Sequence, residues 1–135
     1  MLIVTPIYMA LAALFYIYLT MRVVGARVST KVALGHGGDR SLIKRNRAHG
    51  NFAEYAPLTL LMMMAAELLG TPGFVLHLLG LSFLAARILH AYAITRPEEP
   101  LRFRQISMAV TLASHRHLEP NRTDPAFLLT IRFRK

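Results

Sequence analysis

The chain has 135 residues, 54% of them hydrophobic and 17% charged, with a mean hydropathy of +0.40. That length is one domain, and that composition is too apolar for a disordered chain or an ordinary soluble one, so an all-α integral membrane protein is the leading class. Zero cysteines exclude disulfides, thiolate nucleophiles and Cys-ligated metals, and leave only a thiol supplied by a substrate. The net charge of +9 coexists with long apolar runs, so the placement of the charges matters more than their sum.

Leu2 to Val24 is almost uninterrupted Leu, Ile, Val, Ala, Met, Phe and Tyr. At a rise of about 1.5 Å per residue it crosses a hydrocarbon layer of about 30 Å. Pro6 falls in the first turn, where a missing N–H is tolerated, and with no basic stretch ahead and no cleavage pattern behind, the segment reads as an uncleaved anchor. From Gly25 to Ala48 the composition flips to Arg27, Lys31, Arg40, Lys44, Arg45 and Arg47 against the single acid Asp39. This reads as a basic loop whose centre, Gly35-His36-Gly37-Gly38, is a flexible linker; no strand precedes it and no Lys-Ser/Thr pair follows, as a phosphate cradle would need.

A second span covers residues 51–69, and the turn Gly70-Thr71-Pro72-Gly73 makes a hairpin to a third, residues 74–95, apolar except for His77, Arg87 and His90. Arg96-Pro97-Glu98-Glu99-Pro100 ends it. Lys and Arg lie in the loop before the second span and the loop after the third, so both loops face the cytoplasm and the N-terminus the opposite side. A fourth helix at residues 103–114 is short, about 12 residues where a span needs about 20. If it spanned, Arg116, Arg122, Arg132, Arg134 and Lys135 would lie on the wrong side for the positive-inside bias. Residues 115–135 therefore read as an atypical basic tail, the pattern that a change of reading frame near Ser114 would leave.

Two polar clusters stand within or beside the spans, where ionisable groups call for a functional reading with a named partner. In Arg47-Ala-His49-Gly-Asn51-Phe-Ala-Glu54-Tyr55-Ala-Pro57, an advance of about 100° per residue puts Arg47, Asn51 and Glu54 at about 0°, 40° and −20°. His49 falls on another face. Such a stripe serves equally as an Arg–Glu pair holding the second span to its neighbours and as a site for a zwitterion, with Arg gripping a carboxylate and Glu an ammonium. Pro57 removes the donor for the Ala53 carbonyl and favours a bend there. In the third span, Arg87 is placed most cheaply in the bundle interior with Glu54 as counter-ion. His90 follows one turn later and reads more simply as a histidine satisfied by a hydrogen bond than as a catalytic one. His36 and His115-x-His117 lack the companions of a metal site, so no metal is expected. Arg102 and Arg104 are either membrane-edge markers or cations that lower the pKa of a bound thiol.

Arg47-Ala48-His49-x-Asn51-x-x-Glu54-Tyr55-x-Pro57, followed by Arg87-Ile-Leu-His90-Ala91-Tyr92, closely resembles the MAPEG family, the membrane-associated proteins in eicosanoid and glutathione metabolism, and most of all its small bacterial members. The resemblance covers residues 1–113. It implies a four-helix bundle protomer in a homotrimer, in a bacterial inner membrane, with glutathione held between neighbouring subunits at the cytoplasmic side. It assigns glutathione contacts to Arg47, Asn51, Glu54, Tyr55, Arg87 and His90, and thiol activation to Arg102, with Arg104 as fallback. His90 and Ile94 stand where some eicosanoid-forming members have tyrosines, and Phe52 replaces an acid of the microsomal transferases.

The expected activity is a glutathione transferase or peroxidase acting on apolar electrophiles or lipid hydroperoxides, among membrane lipids. The alternatives are a non-catalytic lipid-binding scaffold of the same family and a small transporter subunit using Glu54 and Arg87 as a charge pair. Nucleic acid is not expected as a partner, because the basic residues flank spans rather than an aromatic-lined face.

Overall fold

The computed structural model describes residues 2–96, 105 and 108–113, and among these the regular structure is helical, with no strand. Three helices follow one another as an antiparallel series: α1 (Thr5–Thr30), α2 (Arg40–Leu68) and α3 (Gly73–Thr95). Residues 105 and 108–113 are helical as well, on the short fourth segment expected there; Arg102, Arg104 and the tail 115–135 lie outside the described residues. Helix α2 is the central element, packing broadly on α1 and on α3, while α1 and α3 touch less.

Helices α1 and α3, of 26 and 23 residues, are long and apolar enough to cross a membrane. Their outer surfaces carry Leu14, Ile17, Leu78 and Leu81, each more than half exposed. A run of large apolar side chains on the outside of a small bundle suits hydrocarbon rather than water as the surrounding medium.

The core lies where α2 faces its neighbours. Phe83 and Met63 are fully buried, and Phe52 meets Phe15 edge-on at 5.3 Å between ring centroids. At the α1–α3 contact, Gly80 admits the ring of Tyr8, which would lie 2.6 Å from a Cβ at that position. The Tyr8 hydroxyl donates to the His77 carbonyl at 3.0 Å and also lies 3.0 Å from His77 Nδ1. At the same end the Glu67 carboxylate accepts the backbone N–H groups of Ile3, Val4 (2.8 Å) and Thr5 (2.7 Å). Those donors open α1 and have no partner within the helix, so a side chain from the end of α2 supplies what the first turn lacks.

The basic segment 25–48 is not the long loop its composition suggests. Helix α1 continues to Thr30 and α2 begins at Arg40, leaving only residues 31–39 between them. The reason is a second small core in which fully buried Leu42 packs with Val23, Ala26 and Val32. Asp39 caps α2, its carboxylate accepting the Leu42 N–H at 2.6 Å, and Lys31 closes α1 in the left-handed conformation at φ 54°. Helix α2 runs through Pro57 without a break, and the Thr59 hydroxyl donates to the Tyr55 carbonyl at 2.9 Å within that turn.

Candidate functional site

A cleft of about 780 Å³ opens at the basic end of the bundle. Helix α2 forms one wall with Ile43, Asn46, Arg47, Gly50, Asn51 and Glu54, whose spacing of three and four residues keeps them on one face. Helix α3 supplies His90 and Ile94, the fourth segment Gln105 and Met108, and the 31–39 loop His36. Its volume is within the range of about 300–1,000 Å³ usual for small-molecule sites.

Four of the residues singled out from the sequence thus share the lining: Arg47, Asn51, Glu54 and His90. Arg47 and Glu54 are exposed, Asn51 is half-buried and His90 is buried. Among the described residues Glu54 forms no ion pair, so it stands on the cleft wall as a spare carboxylate, two turns and about 10 Å of helix rise from Arg47. His49 turns away to α1, stacking on Tyr16 at 4.7 Å with its Nε2 3.1 Å from the Thr20 hydroxyl, on the other face as its angle requires.

Arg87 departs from expectation in its partners. It lies in the bundle interior, 2% exposed, but it is held by Asn51 and Thr111 and not by Glu54. One Nη donates to Asn51 Oδ1 at 2.8 Å and the other to Thr111 Oγ1 at 2.7 Å. The Tyr55 ring centroid is 5.2 Å from the guanidinium carbon. Arg87 and Tyr55 therefore stand behind the cleft wall, where the guanidinium orients the Asn51 amide and joins α2, α3 and the fourth segment. A buried charge needs several donors or acceptors around it, and a polar amide and hydroxyl at short range meet that need as an opposite charge would.

Asn46, Gln105, Met108 and His36 line the cleft without belonging to either polar cluster of the sequence. Asn46 carried a usable signal, lying one turn before Gly50 on the Arg47–Glu54 face. Thr111 also carried one, as a hydroxyl interrupting the apolar run Met108 to Ala113. For His36 and Gln105 no local pattern points to the cleft, because their position depends on how the chain folds back over α2.

The profile of the MAPEG family matches residues 5–115 of this chain. The chain is also similar to the inner membrane protein YecN of Escherichia coli K12 and to its counterpart in strain O6:H1. Each is 32% identical over 108 residues, covering 80% of this chain and 81% of the relative. No solved structure is significantly similar.

Proposed function

Because the chain belongs to the MAPEG family, we propose that it is a membrane-embedded glutathione transferase, with peroxidase chemistry toward lipid hydroperoxides at the same site. The observation that carries this reading is the pair of exposed, opposite charges, Arg47 and Glu54, on one wall of a cleft at the basic end of an apolar bundle. Glutathione is a zwitterionic thiol peptide. Its ammonium suits the spare Glu54 carboxylate, and a carboxylate suits the Arg47 fork. From Asn46 to Glu54 the wall runs about 12 Å at 1.5 Å per residue, close to the reach of extended glutathione, whose γ-linkage adds about 2 Å to the roughly 10–11 Å of three residues.

In this reading Asn51 holds the peptide backbone in the orientation that Arg87 gives it, and His90 closes the opposite wall. Arg102, carried over from the family pattern, stabilises the glutathione sulfur as thiolate. The thiolate attacks an apolar electrophile arriving from the bilayer, forming a carbon–sulfur bond and expelling the leaving group with its electron pair. With a hydroperoxide, two glutathione molecules are oxidised to the disulfide while the hydroperoxide is reduced to an alcohol and water. The basic end faces the cytoplasm, in an inner membrane, and the working unit is a homotrimer.

An ultraviolet difference titration of detergent-purified protein with glutathione tests the chemistry. A saturable thiolate band at neutral pH is expected, with Arg102→Ala losing the band and turnover while retaining most of the affinity. Binding of fatty acids without any thiolate band would favour the non-catalytic scaffold.

A further inference from the structure

The loop between α1 and α2 is fastened rather than slack. The Arg27 guanidinium donates to the carbonyls of Ala33 and Gly35, each at 3.1 Å. Gly35, Gly37 and Gly38 take φ of 70°, 53° and 78°, the left-handed region where glycine is favoured. At Gly37 there is the further reason that a Cβ would lie 2.6 Å from a Val32 methyl. His36 is locked into this turn twice. Its carbonyl accepts the Asp39 N–H at 2.8 Å, and its ring Nδ1 accepts the Gly38 N–H at 3.2 Å. A ring nitrogen that accepts carries no proton, so the imidazole proton resides on Nε2. The loop thus adds to the cleft lining, which Asn46 and Arg47 share, an imidazole whose N–H donor is Nε2.

We propose that His36 is a binding residue, donating its Nε2–H to the glycine carboxylate of bound glutathione. The inference rests on the glutathione reading above and adds which end of the peptide lies where. With the ammonium at Glu54, the glycine carboxylate of extended glutathione falls about 12–13 Å away, the two extra carbons of its γ-linkage included, near the level of Asn46 and Arg47. An arginine fork engages two of the roughly four lone-pair sites of a carboxylate, leaving room for a second donor. His36 fills that role and makes the free carboxylate a requirement for tight binding.

The test compares glutathione with its glycine monoethyl ester, by calorimetry on the purified full chain in detergent. Two substitutions separate the two ends of the imidazole. His36→Asn puts an amide oxygen near the Nδ1 position, keeping the Gly38 contact, but has no donor at the Nε2 position. His36→Gln reaches the Nε2 position with an amide N–H. The wild type is expected to bind the acid more tightly than the ester, by about tenfold or more. His36→Asn reduces that ratio by about fivefold, and His36→Gln restores most of it. The ratio is read from dissociation constants, so a smaller folded fraction in either variant leaves it unchanged. A wild-type ratio kept by His36→Asn overturns the assignment of His36 while leaving the glutathione reading intact. No saturable binding of either compound to the wild type overturns both.

Discussion

Helix α2 carries two glutamates, and they are used in opposite ways. Glu67 is saturated by protein: its carboxylate accepts three backbone N–H groups at the start of α1. Glu54 is exposed on the wall of the cleft and forms no ion pair among the described residues. The same functional group is a fastener at one end of the helix and a spare charge at the other. What decides is the neighbour. Glu67 meets a helix terminus that lacks acceptors, and Glu54 meets an opening 780 Å³ in volume. The same division separates the arginines, since Arg87 is consumed by Asn51 and Thr111 while Arg47 is left open to the cleft.

Substitutions at the consumed groups should act on stability, and those at the open groups on binding. The largest effect is expected for Arg87→Met, which leaves the Asn51 and Thr111 oxygens without their donor at about 1–3 kcal/mol each. A melting curve in detergent should show a drop of several kcal/mol, with binding lost as a consequence. Next comes Glu54→Gln, which removes a charge-assisted contact and should weaken glutathione at least about tenfold, while shifting stability by less than about 0.5 kcal/mol. A melting temperature that fell with the affinity would erase the distinction between the two glutamates. Gly80→Ala sharpens the packing side of the comparison. Alanine would ordinarily help a helix, but its Cβ meets the Tyr8 ring, held in place by His77, so a loss of about 1–3 kcal/mol is expected. Gly25→Ala, with no atom within 4 Å of the added Cβ, should instead gain up to about 1 kcal/mol. Glu67→Ala, which leaves three N–H groups at the start of α1 without their acceptor, should lower the melting temperature and leave glutathione affinity unchanged, as isothermal titration would report.

The parts of this arrangement that rest on local periodicity were legible in the sequence. Apolar runs of sufficient length mark α1 and α3, and the three-four spacing of Arg47, Asn51 and Glu54 puts them on one wall. The extended hairpin of α1 and α2 was hidden because its charged composition masks the few apolar residues, Val23, Ala26 and Leu42, that hold it together. Asp39, three residues before the N–H it caps, was the local sign of a helix start at Arg40. The partners of Arg87 were not legible, since Asn51 and Thr111 lie 36 and 24 residues away and meet it only when three elements pack. The same holds for His36, whose place follows from the Arg27 staple and the glycine turn rather than from any repeat.

The most direct test of the division between consumed and spare charge is equilibrium dialysis of glutathione against the wild type, Glu54→Gln and Glu67→Gln, each first shown to be folded. Saturable binding by the wild type, lost with Glu54→Gln and kept with Glu67→Gln, is the predicted result. Absence of saturable binding by the folded wild type, or equal loss in both variants, would contradict the account.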